Sequence, residues 1–128
     1  MAKIRDIVFD CEHAASLARF WAAALDGYEV APYDPAELER LRARGIDDPE
    51  DDPTVLVDSS DGPVRLWFQS VPELKVAKNR VHLDLACADP DAELARLESL
   101  GAARLPDQPN DTLVVLLDPE GNEFCVLF

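Results

Sequence analysis

Apolar and polar residues alternate at the start of the chain. Ile7, Phe9 and Cys11 fall on one side of a period-two pattern, with Asp6, Val8 and Asp10 on the other, and this predicts a strand over residues 4–11. A helical period follows over 14–25, where an alanine-rich run carries a stripe of Leu17, Phe20, Trp21 and Leu25 and stops at Gly27. Short apolar runs predict further strands at 28–33, 54–58 and 64–70, the last two joined by a turn at Asp61-Gly62-Pro63. The pattern then repeats. A strand is predicted at 80–87, and Asp89-Pro90 opens a helix with a Leu94, Leu97 and Leu100 stripe that ends at Gly101. Three more strands follow at 102–105, 112–117 and 123–128, with a turn at 118–122 between the last two.

The order is β-α-β-β-β, twice. The halves also echo each other residue by residue: Asp6 to His13 aligns with His82 to Asp89, and Leu17-Ala18-Arg19-Phe20 aligns with Leu94-Ala95-Arg96-Leu97 after one insertion. A ferredoxin-like fold has too few strands to compete. The expectation is one α+β domain over 1–128, with module one at about 1–74 and module two at about 79–128. Residues 34–53 fit this scheme least. Asp34-Pro35 starts a short helix with Leu38 and Leu41 on one face, and residues 47–53 read as a solvated, mobile loop. That acidic loop lacks the ligand spacing and central glycine of a calcium site.

Composition narrows the function. The formal charge of −14 argues against nucleic acid and anionic membranes as partners. No apolar run is long enough to span a bilayer, and the first residues lack the apolar core of a leader, so a cytoplasmic protein is expected. The three cysteines, Cys11, Cys87 and Cys125, are widely spaced and contain no C-x-x-C pair, which suggests free thiols.

Several segments resemble one family. Val81-His82-Leu83-Asp84-Leu85, with Asp89-Pro90 and a helix ending at Leu100-Gly101-Ala102, is similar to the second-module opening of the glyoxalase/bleomycin-resistance/dioxygenase (vicinal oxygen chelate) superfamily. Residues 118–126 resemble its closing hairpin. Leu17 to Trp21 together with Leu66-Trp67-Phe68-Gln69 resemble its glyoxalase-like branch. The resemblance implies two tandem β-α-β-β-β modules forming a curved mixed sheet around a cleft. It also implies, in many members, a divalent metal (Zn, Fe, Ni or Mn) held by the first and last strands of both modules. Those positions fall here on Asp6, Gln69, His82 and Cys125, with Trp67 the alternative to Gln69. This is a poor match to the family's His/Glu pattern, and the family hosts many chemistries.

Strand alternation suggests where ligand would bind. With Val81, Leu83 and Leu85 under the second helix, the opposite faces carry Asp6, Asp10, Arg65, Trp67, Gln69, His82, Asp84 and Cys125, a polar set with one aromatic wall. Asp10, Arg65, Trp67 and Gln69 are the expected ligand contacts, and His82 with Asp84 the expected catalytic pair, His82 as general base. Two residues along a strand separates their α-carbons by about 7 Å, which is long for a direct contact. Asp10 or Asp84 is expected to pair with Arg65, and Cys125 to be a buried apolar residue. Lys75, Lys78 and Arg80 gather basic charge in the connector, either to guide an anion or to pair with nearby carboxylates.

Three functions remain in view. The first is binding of a small polar or anionic molecule in the cleft without a metal. The second is a metal-dependent lyase, isomerase or dioxygenase. The third is a metal-free acid/base enzyme using His82. Short strands leave edges that a homodimer would cover, but the sequence does not choose between monomer and dimer.

Overall fold

In the computed structural model, which describes residues 1–128, the first strand of each half lies parallel to the last. β1 (Asp6–Cys11) pairs with β4 (Arg65–Ser70), and β5 (Asp84–Leu85) pairs with β8 (Glu123–Leu127). Antiparallel partners complete each half: β2 (Glu29–Val30) and β3 (Thr54–Asp58) in the first, β6 (Ala103–Arg104) and β7 (Leu113–Leu117) in the second. The tandem β-α-β-β-β order and the mixed pairing match expectation.

The expected single curved sheet around a cleft does not form. The strands make two separate four-stranded sheets, ordered β1-β4-β3-β2 and β5-β8-β7-β6. Each half completes its own hydrogen-bonded ladder when its last strand returns beside its first. The strand expected over 80–87 is also shorter, with a ladder only at Asp84–Leu85. Val81, expected under a helix, is 77% exposed because it lies ahead of that ladder. The chain divides into two compact units, Met1–Leu74 and Lys75–Phe128.

In unit one, α1 (Ala14–Ala24) starts at His13, whose Nδ1 accepts the Ser16 amide at 3.3 Å. Its buried residues include Leu17, Phe20 and Trp21, and the helix packs on β3 and β4. Phe9 stacks on Phe68 at 4.9 Å and meets Trp21 at 5.5 Å. Val55, Val57 and Leu66 fill the rest of this core, and each fully buried side chain of this size contributes roughly 1.5–3 kcal/mol.

Residues 34–53 are not an open loop. Asp34 caps α2 (Pro35–Ala43), its side chain accepting the Glu37 amide at 2.9 Å, and Leu41 is buried. A single 3-10 turn, Pro49–Asp51, is tied to α1 by two Arg19–Glu50 hydrogen bonds of 2.6 and 2.8 Å. Asp52 is buried and accepts the Tyr33 hydroxyl at 2.8 Å and the Thr54 amide at 3.0 Å.

In unit two, α3 (Pro90–Leu100) follows its sequence signals closely. Asp89 accepts the Ala92 amide at 3.1 Å, and Gly101 closes the helix at φ +116°, a left-handed conformation that glycine adopts without a Cβ penalty. Leu94 and Leu97 are buried with Leu116, Phe124 and Val126, while Leu100, expected in the same stripe, is partly exposed at the helix end. No helix of the chain is long and apolar enough to cross a membrane.

Candidate metal centre

The parallel β5–β8 pairing sets the site in unit two. Asp84 and Cys125 are Cα partners in that ladder, so their side chains leave the same face of the sheet. His82 lies two residues before Asp84, just ahead of the strand. Its Nε2 is 3.3 Å from Asp84 Oδ1. The α-carbon spacing thus misleads, because the two long side chains lean together. His82, Asp84 and Cys125 each offer one ligand atom, and these atoms all lie within 4.8 Å of one another.

The members of this cluster differ in exposure. Cys125 is buried, whereas the His82 and Asp84 side chains are 43% and 49% exposed. Burial pushes the Cys125 thiol above its ordinary pKa, and the neighbouring Asp84 carboxylate pushes it further, with Lys78 acting in the opposite direction. Cys125 is therefore buried as expected, but it is buried among polar groups.

A second layer fixes the connector that carries His82. Glu123 accepts the Asn79 amide at 2.9 Å and pairs with Lys75 at 3.2 Å. Burial opposes ionisation of Glu123, but the Asn79 amide and the Lys75 ammonium outweigh it and hold the carboxyl below its usual range. Lys75 also donates to the Ala77 carbonyl. The basic connector therefore folds onto β8 through this carboxylate.

The donor chemistry suits a divalent metal. An imidazole nitrogen, a carboxylate oxygen and a thiolate sulfur are the ligand types that zinc takes, and three of them leave a coordination position open. Softer first-row metals such as iron and nickel share these preferences.

The other anticipated residues belong to unit one. The Asp6 carboxylate takes Arg65 on Oδ1 at 2.8 Å and Arg5 on Oδ2 at 3.3 Å. Arg65 is thus paired with Asp6, not with Asp10 or Asp84, and its Nη2 is buried without a hydrogen-bond partner. In the β1–β4 register, Asp6 faces Arg65, Val8 faces Trp67 and Asp10 faces Gln69. These residues share the sheet face opposite α1, and Asp10 and Gln69 are exposed. Asp84 was expected on the ligand-facing side, as an acid/base partner of His82 or an ion-pair partner of Arg65, but not as a metal ligand. The pairing of the module's first and last strands, which puts it beside Cys125, was the signal for a ligand role.

Comparison with known proteins agrees with this architecture. The chain belongs to the glyoxalase-like domain family, whose model matches residues 6–127. Among solved structures, it is similar to the fosfomycin resistance protein FosX from Mesorhizobium loti, at 13% identity and a TM-score of 0.66 over 99% of this chain and 91% of that one. It is similar to a glyoxalase/bleomycin resistance protein/dioxygenase family enzyme from Burkholderia phytofirmans, at 15% identity and a TM-score of 0.63, covering 98% and 97% of the two chains. A mutant FosX from Listeria monocytogenes, complexed with Mn(II) and dihydroxypropylphosphonic acid, aligns at 10% identity and a TM-score of 0.65 over 99% and 90%. At these identities the structures speak for the fold alone. No curated protein matches the chain.

Proposed function

We propose that this chain is a divalent-metal-dependent enzyme of the lyase, isomerase or dioxygenase type, with His82, Asp84 and Cys125 as the protein ligands. The observation that carries this reading is the convergence of three chemically suitable donors within 4.8 Å. The Mn(II) complex of the Listeria protein adds support, since the same fold accommodates a metal there. A bound divalent ion would supply Lewis-acid polarisation of a substrate oxygen.

The chain's own groups do the rest. His82 would bind through a neutral ring nitrogen, and the 3.3 Å approach of its Nε2 to Asp84 Oδ1 brings the two donors close enough to share one ion. Glu123 holds Asn79 and Lys75, which limits the travel of the segment bearing His82. The exposure of His82 and Asp84 leaves the open side of the cluster accessible to a small molecule.

The test is the metal content of the untagged protein, read by elemental mass spectrometry and by calorimetric titration of Zn²⁺, Fe²⁺, Ni²⁺ and Mn²⁺. One equivalent of metal that is lost in His82→Ala supports the proposal. Absence of stoichiometric binding for every ion refutes it. The close His82–Asp84 contact favours one second reading, metal-free acid/base catalysis by His82, and that reading alone predicts turnover that survives a chelator.

A further inference from the structure

A cavity of about 380 Å³ opens in unit one, lined entirely by residues of that unit. Its floor is Leu56 and Trp67, Cα partners across β3 and β4. Strand alternation puts both on the face opposite α1, since Val55, Val57, Leu66 and Phe68 are the buried positions between them. Its wall is one side of α2, with Glu37 and Arg40, continued by the C-cap residue Arg44. Tyr33 and Asp52 close the back. The segment that fits the duplicated pattern least is thus the segment that builds this cavity.

Two acidic and two basic side chains line the cavity. Glu37 is paired with Arg40 at 3.0 Å. Asp52 is buried, and each of its oxygens accepts a hydrogen bond, from Tyr33 and from Thr54. Burial and the Asp52 contact raise the Tyr33 pKa, so its hydroxyl stays protonated and remains the donor. Asp52 is thus held by neutral donors, and the exposed Arg44 is the one cation of the lining without an ion pair, in a cavity that also holds Trp67.

We propose that this cavity binds a small monoanionic aromatic carboxylate, its ring against Trp67 and Leu56 and its carboxylate on the guanidinium of Arg44, with Arg40 beside it. The volume lies in the range of small-molecule sites. The planar guanidinium fork matches a carboxylate, and the indole matches a flat ring. The proposal goes beyond the metal reading and does not rest on it.

The experiment titrates 2-naphthoate into the full chain in the presence of a chelator, followed by calorimetry and by quenching of tryptophan fluorescence. The expected result is saturable one-to-one binding, at least about tenfold weaker in Arg44→Gln, as loss of one charge-assisted hydrogen bond implies. Trp67→Leu removes most of the quenching, because Trp21 is buried in the α1 core. The neutral alcohol 2-naphthalenemethanol binds at least about tenfold more weakly than the acid, and Arg44→Gln abolishes that preference. His82→Ala binds naphthoate as the unmodified chain does, which separates this test from the metal reading. Equal affinity for acid and alcohol, undiminished binding in a folded Arg44→Gln, or no binding at millimolar naphthoate overturns the proposal.

Discussion

Asp84 and Cys125 face each other across the parallel β5–β8 ladder, and His82 Nε2 reaches to 3.3 Å from the same Asp84 carboxylate. One buried sulfur and two accessible donors therefore converge on one sheet face. If these are the ligands, cobalt(II) added to the protein gives a near-ultraviolet sulfur-to-metal charge-transfer band. Cys125→Ser eliminates that band while the protein stays folded. Asp84→Ala retains it but weakens cobalt binding by more than the ~10–100-fold that loss of an outer-shell partner costs. A band that persists in Cys125→Ser would place the metal elsewhere.

Glu123 has a different role in the same unit. It touches no proposed ligand, yet it ties Asn79 and Lys75 to β8, and its side chain is only 15% exposed. Glu123→Ala leaves the Asn79 amide without its acceptor and should cost about 1–3 kcal/mol in chemical denaturation. Metal affinity should fall by the order of tenfold as the segment before His82 loosens. Glu123→Gln keeps an acceptor for Asn79 and should recover most of the stability. Equal loss in both variants would show that the Lys75 charge matters more than the Asn79 hydrogen bond.

The elements with strong local signals were legible in the sequence. Asp89-Pro90, the Leu94 and Leu97 stripe and Gly101 delimit α3 almost to the residue, because cap, period and stop signal agree. The duplicated order was legible for the same reason. Sheet continuity was not, since local alternation does not say whether two ladders join, and the expected strand at 80–87 keeps only two paired residues. Of the candidate site, His82, Asp84 and Cys125 were each visible, but the ligand role of Asp84 depends on a strand pairing between residues far apart in the chain. The cavity beside α2 was invisible, because no local pattern joins Arg40 and Arg44 to Tyr33, Asp52 and Trp67, which only the fold brings together.

Gly62 illustrates a requirement that turn chemistry alone does not explain. A side chain there would run into the Tyr28 ring, with Tyr28 Cε2 only 2.9 Å from the Cβ position, and that ring is anchored by a 2.8 Å hydrogen bond from its hydroxyl to the Val64 carbonyl. Gly62→Ala should therefore destabilise the chain by about 1–3 kcal/mol, the range for forced overpacking. The same substitution in a Tyr28→Ala background should cost far less, and a double-mutant cycle by urea denaturation measures the difference. Additive effects would mean that the backbone at Gly62, not the ring, sets the requirement.

The Arg19–Glu50 contact gives a signed pH dependence. Two hydrogen bonds join the guanidinium to the carboxylate, and this pairing lowers the Glu50 pKa from its ordinary value. A carboxyl with a lower pKa in the folded than in the unfolded chain contributes stability at pH values above its unfolded pKa. That contribution disappears as the pH falls through the folded value. The urea midpoint of the unmodified chain should therefore drop more between pH 5 and pH 3, roughly the window around an ordinary carboxyl pKa, than that of Glu50→Gln. Both side chains are about half exposed, so the difference at neutral pH should be small and should shrink further at high salt. Glu93, lowered by Arg96 in the same direction, remains in both proteins and cancels from the comparison. Parallel midpoint curves for the two proteins across this window would show that the Arg19–Glu50 pair adds nothing to the anchoring of residues 49–51 on α1.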